Sequence, residues 1–146
     1  MKTTAPDFVA DVPPGWEDRT MTTLIGPQDS SGFAANVVVI RDRISLGSDL
    51  EDYVRTQRLA MSESVTGLEV LDERPMVLGG KRAYRTLQRF SAQGRHLQQL
   101  QIFVLSGAVV FVITCTATAG SYNEHARAFQ RITDSFRSVT SLGAAN

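Results

Sequence analysis

Residues 68–118 hold four segments of strand character joined by turns too short to contain anything else. "LEVLDERPMVL" (68–78) meets Gly79-Gly80, a two-residue hairpin signal, and continues as "KRAYRTLQRFSA" (81–92). "QGR" leads into "HLQQLQIFVL" (96–105), and "SGA" leads into "VVFVITCTAT" (109–118). Parallel neighbours need a crossover of about a dozen residues or more, which none of these turns supplies. The four segments must therefore pair as an antiparallel meander, and the rest of the chain has to fold around that sheet.

Three further runs precede the meander. "DFVADV" (7–12), "TMTTLIG" (20–26) and "FAANVVVIRD" (33–42) read as strands separated by turn residues. The period then changes. In "SDLEDYVRTQRLAMSESVTG", Ser48 with Glu51 three residues on has the form of a capping box, and Gly67 stands where a helix C-cap favours glycine. Between them Leu50, Val54, Gln57, Met61 and Val65 recur at steps of three or four, on one helical face. A second helix is expected from the Ser121/Glu124 pair, with Tyr122, Phe129, Ile132, Phe136 and Val139 along one side. The order is βββ-α-ββββ-α. It predicts an α+β domain with an antiparallel sheet of about seven strands and the helices packed on it. A chain of 146 residues suits one such domain, 1–146, with frayed tails at about 1–6 and 141–146.

Charge and chemistry narrow the function by exclusion. Acidic and basic residues balance at 15 each, so no clustered positive surface for nucleic acid is expected. A neutral chain is poorly protected against association, which favours a partner or a second copy. "MKTTAPDFVADVPP" lacks the apolar core of a signal peptide. "GAVVFVITCTATAG" is shorter than the roughly 20 residues that span a bilayer and reads as a buried strand. The expectation is a cytoplasmic protein that is not membrane-embedded. The one cysteine, Cys115, sits between threonines in mid-strand and reads as a core residue. His96 and His125 have no metal-ligand spacing, and neither a glycine-rich phosphate loop nor a nucleophile elbow is present. No catalytic residue, metal or cofactor is predicted. The carboxylates of "DLED" and "LDER" read as solvated faces or as the acidic first turn of a helix.

The positive clue is a set of misfits. Gln57 interrupts the apolar stripe of the first helix, and Gln99 and Gln101 share a strand face with Leu97, Phe103 and Leu105. An unpaired buried amide costs about 1–3 kcal/mol, so each needs a partner. Either these glutamines bond internally or meet solvent, or they belong to an apolar groove that accepts a helical guest. In such a groove amides would bond a guest's hydroxyls or free carbonyls, as polar residues do between membrane helices.

Taken in order, "VPPGWEDRTMTTL", "VVVIRD", "LEDYVRTQ…GLEVLDE", "LGGKRAYR", "GRHLQQLQIF" and the closing helix resemble the DcrB-like family over residues about 7–140. That resemblance implies a Mog1/PsbP-like fold. More narrowly, the chain is similar to the Eag chaperones of type VI secretion, cytoplasmic homodimers that bind the N-terminal transmembrane segments of secreted effectors and aid loading on the VgrG spike protein. Carried over by position, the resemblance implies apolar client contacts at Met21, Val38, Met61, Val65 and Leu97. Thr23 stands where an apolar residue is usual, and Gln57 and Gln101 are the two client-binding glutamines; Gln98 and Gln99 receive no role. The alternative within the same fold is a small-ligand or protein-docking module. The resemblance also suggests that Trp16, in a Pro-x-x-Trp-like turn, is a buried plug closing one edge of the core.

Overall fold

The computed structural model describes residues 10–45 and 47–139. Its elements in chain order are β1 (Met21–Gln28), β2 (Ala34–Arg43), α1 (Leu50–Ser64), β3 (Thr66–Leu78), β4 (Lys81–Ala92), β5 (Arg95–Ser106), β6 (Val109–Thr118) and α2 (Tyr122–Ser135). The meander forms as the short turns require, each strand antiparallel to the next. Gly79 and Gly80 take φ of 58° and 77°, the left-handed pair that a two-residue hairpin turn demands. The β1–β2 hairpin then adds to β6, giving one antiparallel sheet in the order β1-β2-β6-β5-β4-β3. The chain therefore leaves β2 inside the sheet, crosses one face as α1, and enters β3 at the far edge.

Each face of the sheet carries one helix and one apolar cluster. Under α2, Val37, Ile102, Val104, Ile113 and Cys115 pack with Phe129 of the helix. Under α1, Leu50 and Val54 of the helix pack on Phe103, Val110 and Val112. Tyr53 meets Phe103 edge-on, with ring centroids 6.1 Å apart. Cys115 is fully buried, and burial pushes its thiol up to about 12, so it is a core residue as expected and a poor nucleophile.

Several expectations are corrected. The described residues hold six strands, not seven: of the expected strand at 7–12, residues 7–9 lie outside the described residues and 10–12 are unpaired. The expected frayed tails, 1–6 and 141–146, also lie outside them. The N-cap of α1 is Asp49 and not Ser48; its Oδ1 accepts from the Glu51 amide at 3.2 Å. Capping at 49 makes Leu50 the first helical residue and seats it, fully buried, in the cluster with Phe103. The helix ends at Ser64, and Gly67 (φ 66°) serves a register shift early in β3 instead of a C-cap. Ser121 precedes α2 but gives it no side-chain cap, because its hydroxyl is engaged with Thr118 and Asp29. Val139 lies beyond α2 and is exposed.

Trp16 is corrected most sharply. It is 74% exposed, in a turn closed by its own amide donating to Pro13 O at 3.2 Å. The turn leads into β1, an outer strand of the sheet, and residues 10–20 are all exposed. The indole is not a buried plug.

Asp29 staples the β1–β2 turn to the end of β6. Its Oδ1 accepts from the Ser31 amide (2.8 Å), the Ser31 hydroxyl (2.6 Å) and the Phe33 amide (3.1 Å). Its Oδ2 accepts from the Thr118 hydroxyl at 2.6 Å and lies 3.2 Å from Ser121 Oγ. These bonds, the Ser31 and Thr118 hydroxyls foremost, hold its carboxyl far below the usual carboxylate range against the opposing effect of burial. A depressed folded pKa adds stability that is fully present above the ordinary carboxylate pKa of about 3.9 and is lost as pH falls below it. Asp29→Asn is accordingly expected to lower the melting temperature at neutral pH and to flatten its decline below about pH 4. Thermal melts of both proteins across that range check this, and parallel curves would show that the staple does not carry the acid dependence.

Candidate functional site

Helix α1 rests on β3, β4 and β5, its N-terminal half reaching Val110 and Val112 of β6, and leaves Met21, Thr23 and Ile25 of β1 exposed on the same face beside it. Side chains alternate along each strand, and the register shows which ones meet on this face. One row crosses the sheet as Thr23, Val38, Thr114, Gln101 and Thr86. The next runs Ile25, Asn36, Thr116, Gln99 and Gln88. Met21 heads a third row that passes through Ile40 and Val112 to Phe103, beneath the N-terminal half of α1. At the outer edge Met21 is 60% and Ile25 70% exposed, while Val38, Thr114, Gln99 and Gln101 are half-buried.

The helix supplies the other wall. Consecutive helical residues point about 100° apart, so Gln57 and Arg58 flank the buried stripe on opposite sides. Arg58 reaches Glu73 on β3, with Nη1 3.0 Å from Oε2, which turns the exposed Gln57 toward the open strip. The Tyr84 hydroxyl donates to the same Glu73 at 2.6 Å and, with Arg58, holds that carboxyl below its usual range. One turn beyond Gln57, Met61 stands over the sheet, its Sδ 3.3 Å from Gln88 Nε2.

The floor is a ladder of neutral polar groups. Gln99 Nε2 donates to Thr116 Oγ1 at 3.1 Å, and Gln101 Nε2 to Thr114 Oγ1 at 3.2 Å. Gln88, 1% exposed, directs its Nε2 at Gln99 Oε1 (3.0 Å) and Gln101 Oε1 (3.1 Å) as well as at Met61. One amide group has two hydrogens for these three acceptors, so one of them is always short of a donor. Two residues from Gln88 along β4, Thr86 Oγ1 is buried with no partner. Arg58 and Glu73 pair with each other on the β3 side of the helix; the residues that line the strip itself, Met21, Thr23, Ile25, Asn36, Val38, Gln57, Met61, Gln99, Gln101, Thr114 and Thr116, include no charged side chain. Such a surface offers dispersion contacts and neutral hydrogen bonds.

All eight residues singled out from the sequence fall on this one side of the sheet. Met21, Thr23, Val38 and Gln101 line the open strip; Gln57, Met61 and Val65 come from α1 and its C-cap. Leu97 shares the face, between Phe90 and Thr118, but is 9% exposed and belongs to the floor. Sequence reasoning passed over Ile25, which follows Met21 and Thr23 at the same alternation, and Gln88, which sits between Thr86 and Phe90 in β4. The period of two was signal enough for both. Gln98 faces the other way, where Arg89 grips its Oε1 from Nη2 (2.8 Å) and Nε (3.2 Å). No helix among the described residues is long and apolar enough to cross a membrane.

Comparison with known proteins supplies the family and the fold. A family model described as DcrB matches residues 10–135. A protein of unknown function from Pseudomonas aeruginosa, PA94, described as a putative regulator, superposes with a TM-score of 0.76 at 20% identity, over 87% of this chain and 88% of its own. The cyanobacterial PsbP (CyanoP) of Synechocystis sp. PCC 6803 gives 0.55 at 12% identity, over 87% and 97%. The Ran-binding protein Mog1p of Saccharomyces cerevisiae gives 0.50 at 16% identity, over 81% and 76%. At these identities the likeness is one of fold, and it bears out the expected Mog1/PsbP-like architecture. Comparison with curated proteins yields no significant match.

Proposed function

This chain belongs to the DcrB family, and on that scaffold we propose that it is a binding protein, not an enzyme, that takes an apolar helix of a partner onto the open strip beside α1. The observation that carries this reading is the charge-free strip itself, with Met21 and Ile25 presented to solvent beside a ladder of half-buried amides and hydroxyls. Removing apolar surface from water is worth roughly 25 cal/mol per Å², and an apolar helix has such surface along its whole length. The ladder meets the guest's other need. A hydroxyl, or a carbonyl freed at a kink or helix end, would otherwise be stranded in an apolar setting, and neutral amides accept it without the desolvation penalty of a charge.

The resemblance to Eag chaperones gives the client its class: the N-terminal transmembrane segments of a type VI secretion effector. The protein would shield these in the cytoplasm as a homodimer and help place the effector on the VgrG spike protein. Mog1p, a Ran-binding protein by name, is a precedent for this fold as a protein-docking scaffold.

Gentle purification of the tagged protein from its native cell, followed by mass spectrometry, tests the reading. One large partner with N-terminal transmembrane segments is expected, and deleting those segments should abolish its recovery. Recovery of the protein alone, at a yield indifferent to deletion of neighbouring genes, would overturn it.

A further inference from the structure

The opposite face holds a second, unrelated recess. Helix α2 covers β6 and β5 but stops short of β4 and β3, leaving a crevice of about 280 Å³ between the helix and the outer strands. Its floor is apolar: Leu100 and Ile102 of β5 with Met76 of β3. Its rims are charged with opposite signs. Arg74 and Arg85 stand on the sheet side, and Asp134 stands on the helix side, where its Oδ1 accepts from Gln130 at 2.7 Å.

The arginine pair is the telling feature. Arg74 and Arg85 are directly opposed across β3 and β4, an arrangement of like charges that sheets avoid. Both are served by one atom, Asp72 Oδ2, 2.8 Å from Arg74 Nη1 and 3.0 Å from Arg85 Nη1. One carboxylate oxygen between two five-donor guanidiniums leaves a net positive charge and open N–H valence at this rim. Arg85 is held firmly for such a role, its side chain only 19% exposed.

We propose that this crevice binds a free apolar amino acid. The ligand's carboxylate lies on the Arg74/Arg85 rim, where a guanidinium fork takes it through two bonds. Its ammonium faces Asp134, and its side chain rests on Met76, Leu100 and Ile102. A recess of about 280 Å³ has room for a ligand of amino-acid size. The inference does not depend on the client-binding strip, which lies on the other side of the sheet.

Methyl NMR of the full chain, titrated with leucine, 4-methylpentanoate and 3-methylbutylamine, tests it. Leucine should give saturable shifts at the methyls of Met76, Leu100 and Ile102, and each single-charge analogue should bind at least about tenfold more weakly. Arg85→Gln should abolish the leucine response. Asp134→Asn, on the exposed rim, should weaken leucine while leaving 4-methylpentanoate unchanged, a selectivity that a merely structural role would not produce. Absence of saturable shifts at tens of millimolar leucine overturns the proposal. So does equal binding of 4-methylpentanoate, or an Asp134→Asn variant that binds leucine as the parent does.

Discussion

Met21→Glu combined with Ile25→Glu is expected to weaken binding of an apolar helical client by at least about 100-fold while leaving the melting temperature essentially unchanged. Both side chains are largely exposed in the free protein, at 60% and 70%, so glutamates there remain in water. They stand on the outer strand β1, where added charge is well tolerated and discourages unwanted edge pairing. In the complex the same carboxylates would be pressed against an apolar helix. Each then forfeits about 1.5–3 kcal/mol of apolar burial, and the desolvated charge adds further cost. Titration of a labelled client segment, paired with thermal melts, separates the two effects. Binding that falls only in proportion to stability would sink the open-strip reading. Leu97→Glu is a poor probe by comparison: at 9% exposure it would bury a charge in the floor and unfold the domain whatever the site does.

Phe103→Ala is expected to have the largest effect on the fold, about 3–5 kcal/mol of destabilisation and a fall of roughly 10–15 °C in melting temperature. Phe103 is 1% exposed, touches Tyr53 edge-on, and forms the seat for Leu50 and Val54 of α1. The other ties between α1 and the sheet edge are weak by comparison. Arg82 bonds Glu51 at 2.9 Å, but the two side chains are 55% and 30% exposed, and such pairs contribute about 0–1 kcal/mol. Losing the aromatic seat should therefore loosen α1 in particular, and with it the Gln57, Met61 and Val65 wall. Calorimetry gives the stability, and amide exchange along 50–64 reports the helix. A loss under about 1 kcal/mol would mean that α1 is held by something other than this cluster.

Much of this was legible from local pattern. The turns "GG", "QGR" and "SGA" are too short for anything but a meander, so four strands and their pairing follow from chain geometry alone. Glutamines in an apolar row mark a face that needs explaining, and that face is where the ladder lies. The alternation extends to Ile25 and Gln88, which a stricter reading of the period would have included. Three things were not legible. Ser48 and Asp49 are comparable caps, and only the burial of Leu50 against Phe103 decides between them. Serine hydroxyls do not declare their partners, so the claim of Asp29 on Ser121 was invisible before the β1–β2 turn met the end of β6. Trp16 has the composition of a plug, but whether an indole is covered depends on what lies opposite it, and the turn it occupies leads into an outer strand.

The division has one physical cause. Periodicity, turn length and side-chain polarity act over a few residues, so the sequence alone determined six strands and two helices; the set Met21, Thr23, Val38, Gln57, Met61, Val65, Leu97 and Gln101 was implied by the family resemblance, and the fold brings it to one side of the sheet. Which residues of that side face water depends on contacts between segments far apart in the chain. The β1–β2 hairpin joins β6, and α1 comes to rest over β3, β4 and β5. Those two placements leave Met21 and Ile25 open, sink Leu97 into the floor, and bring Gln88 between two other glutamines. Only the tertiary structure decided them, because burial is a property of what the rest of the chain covers.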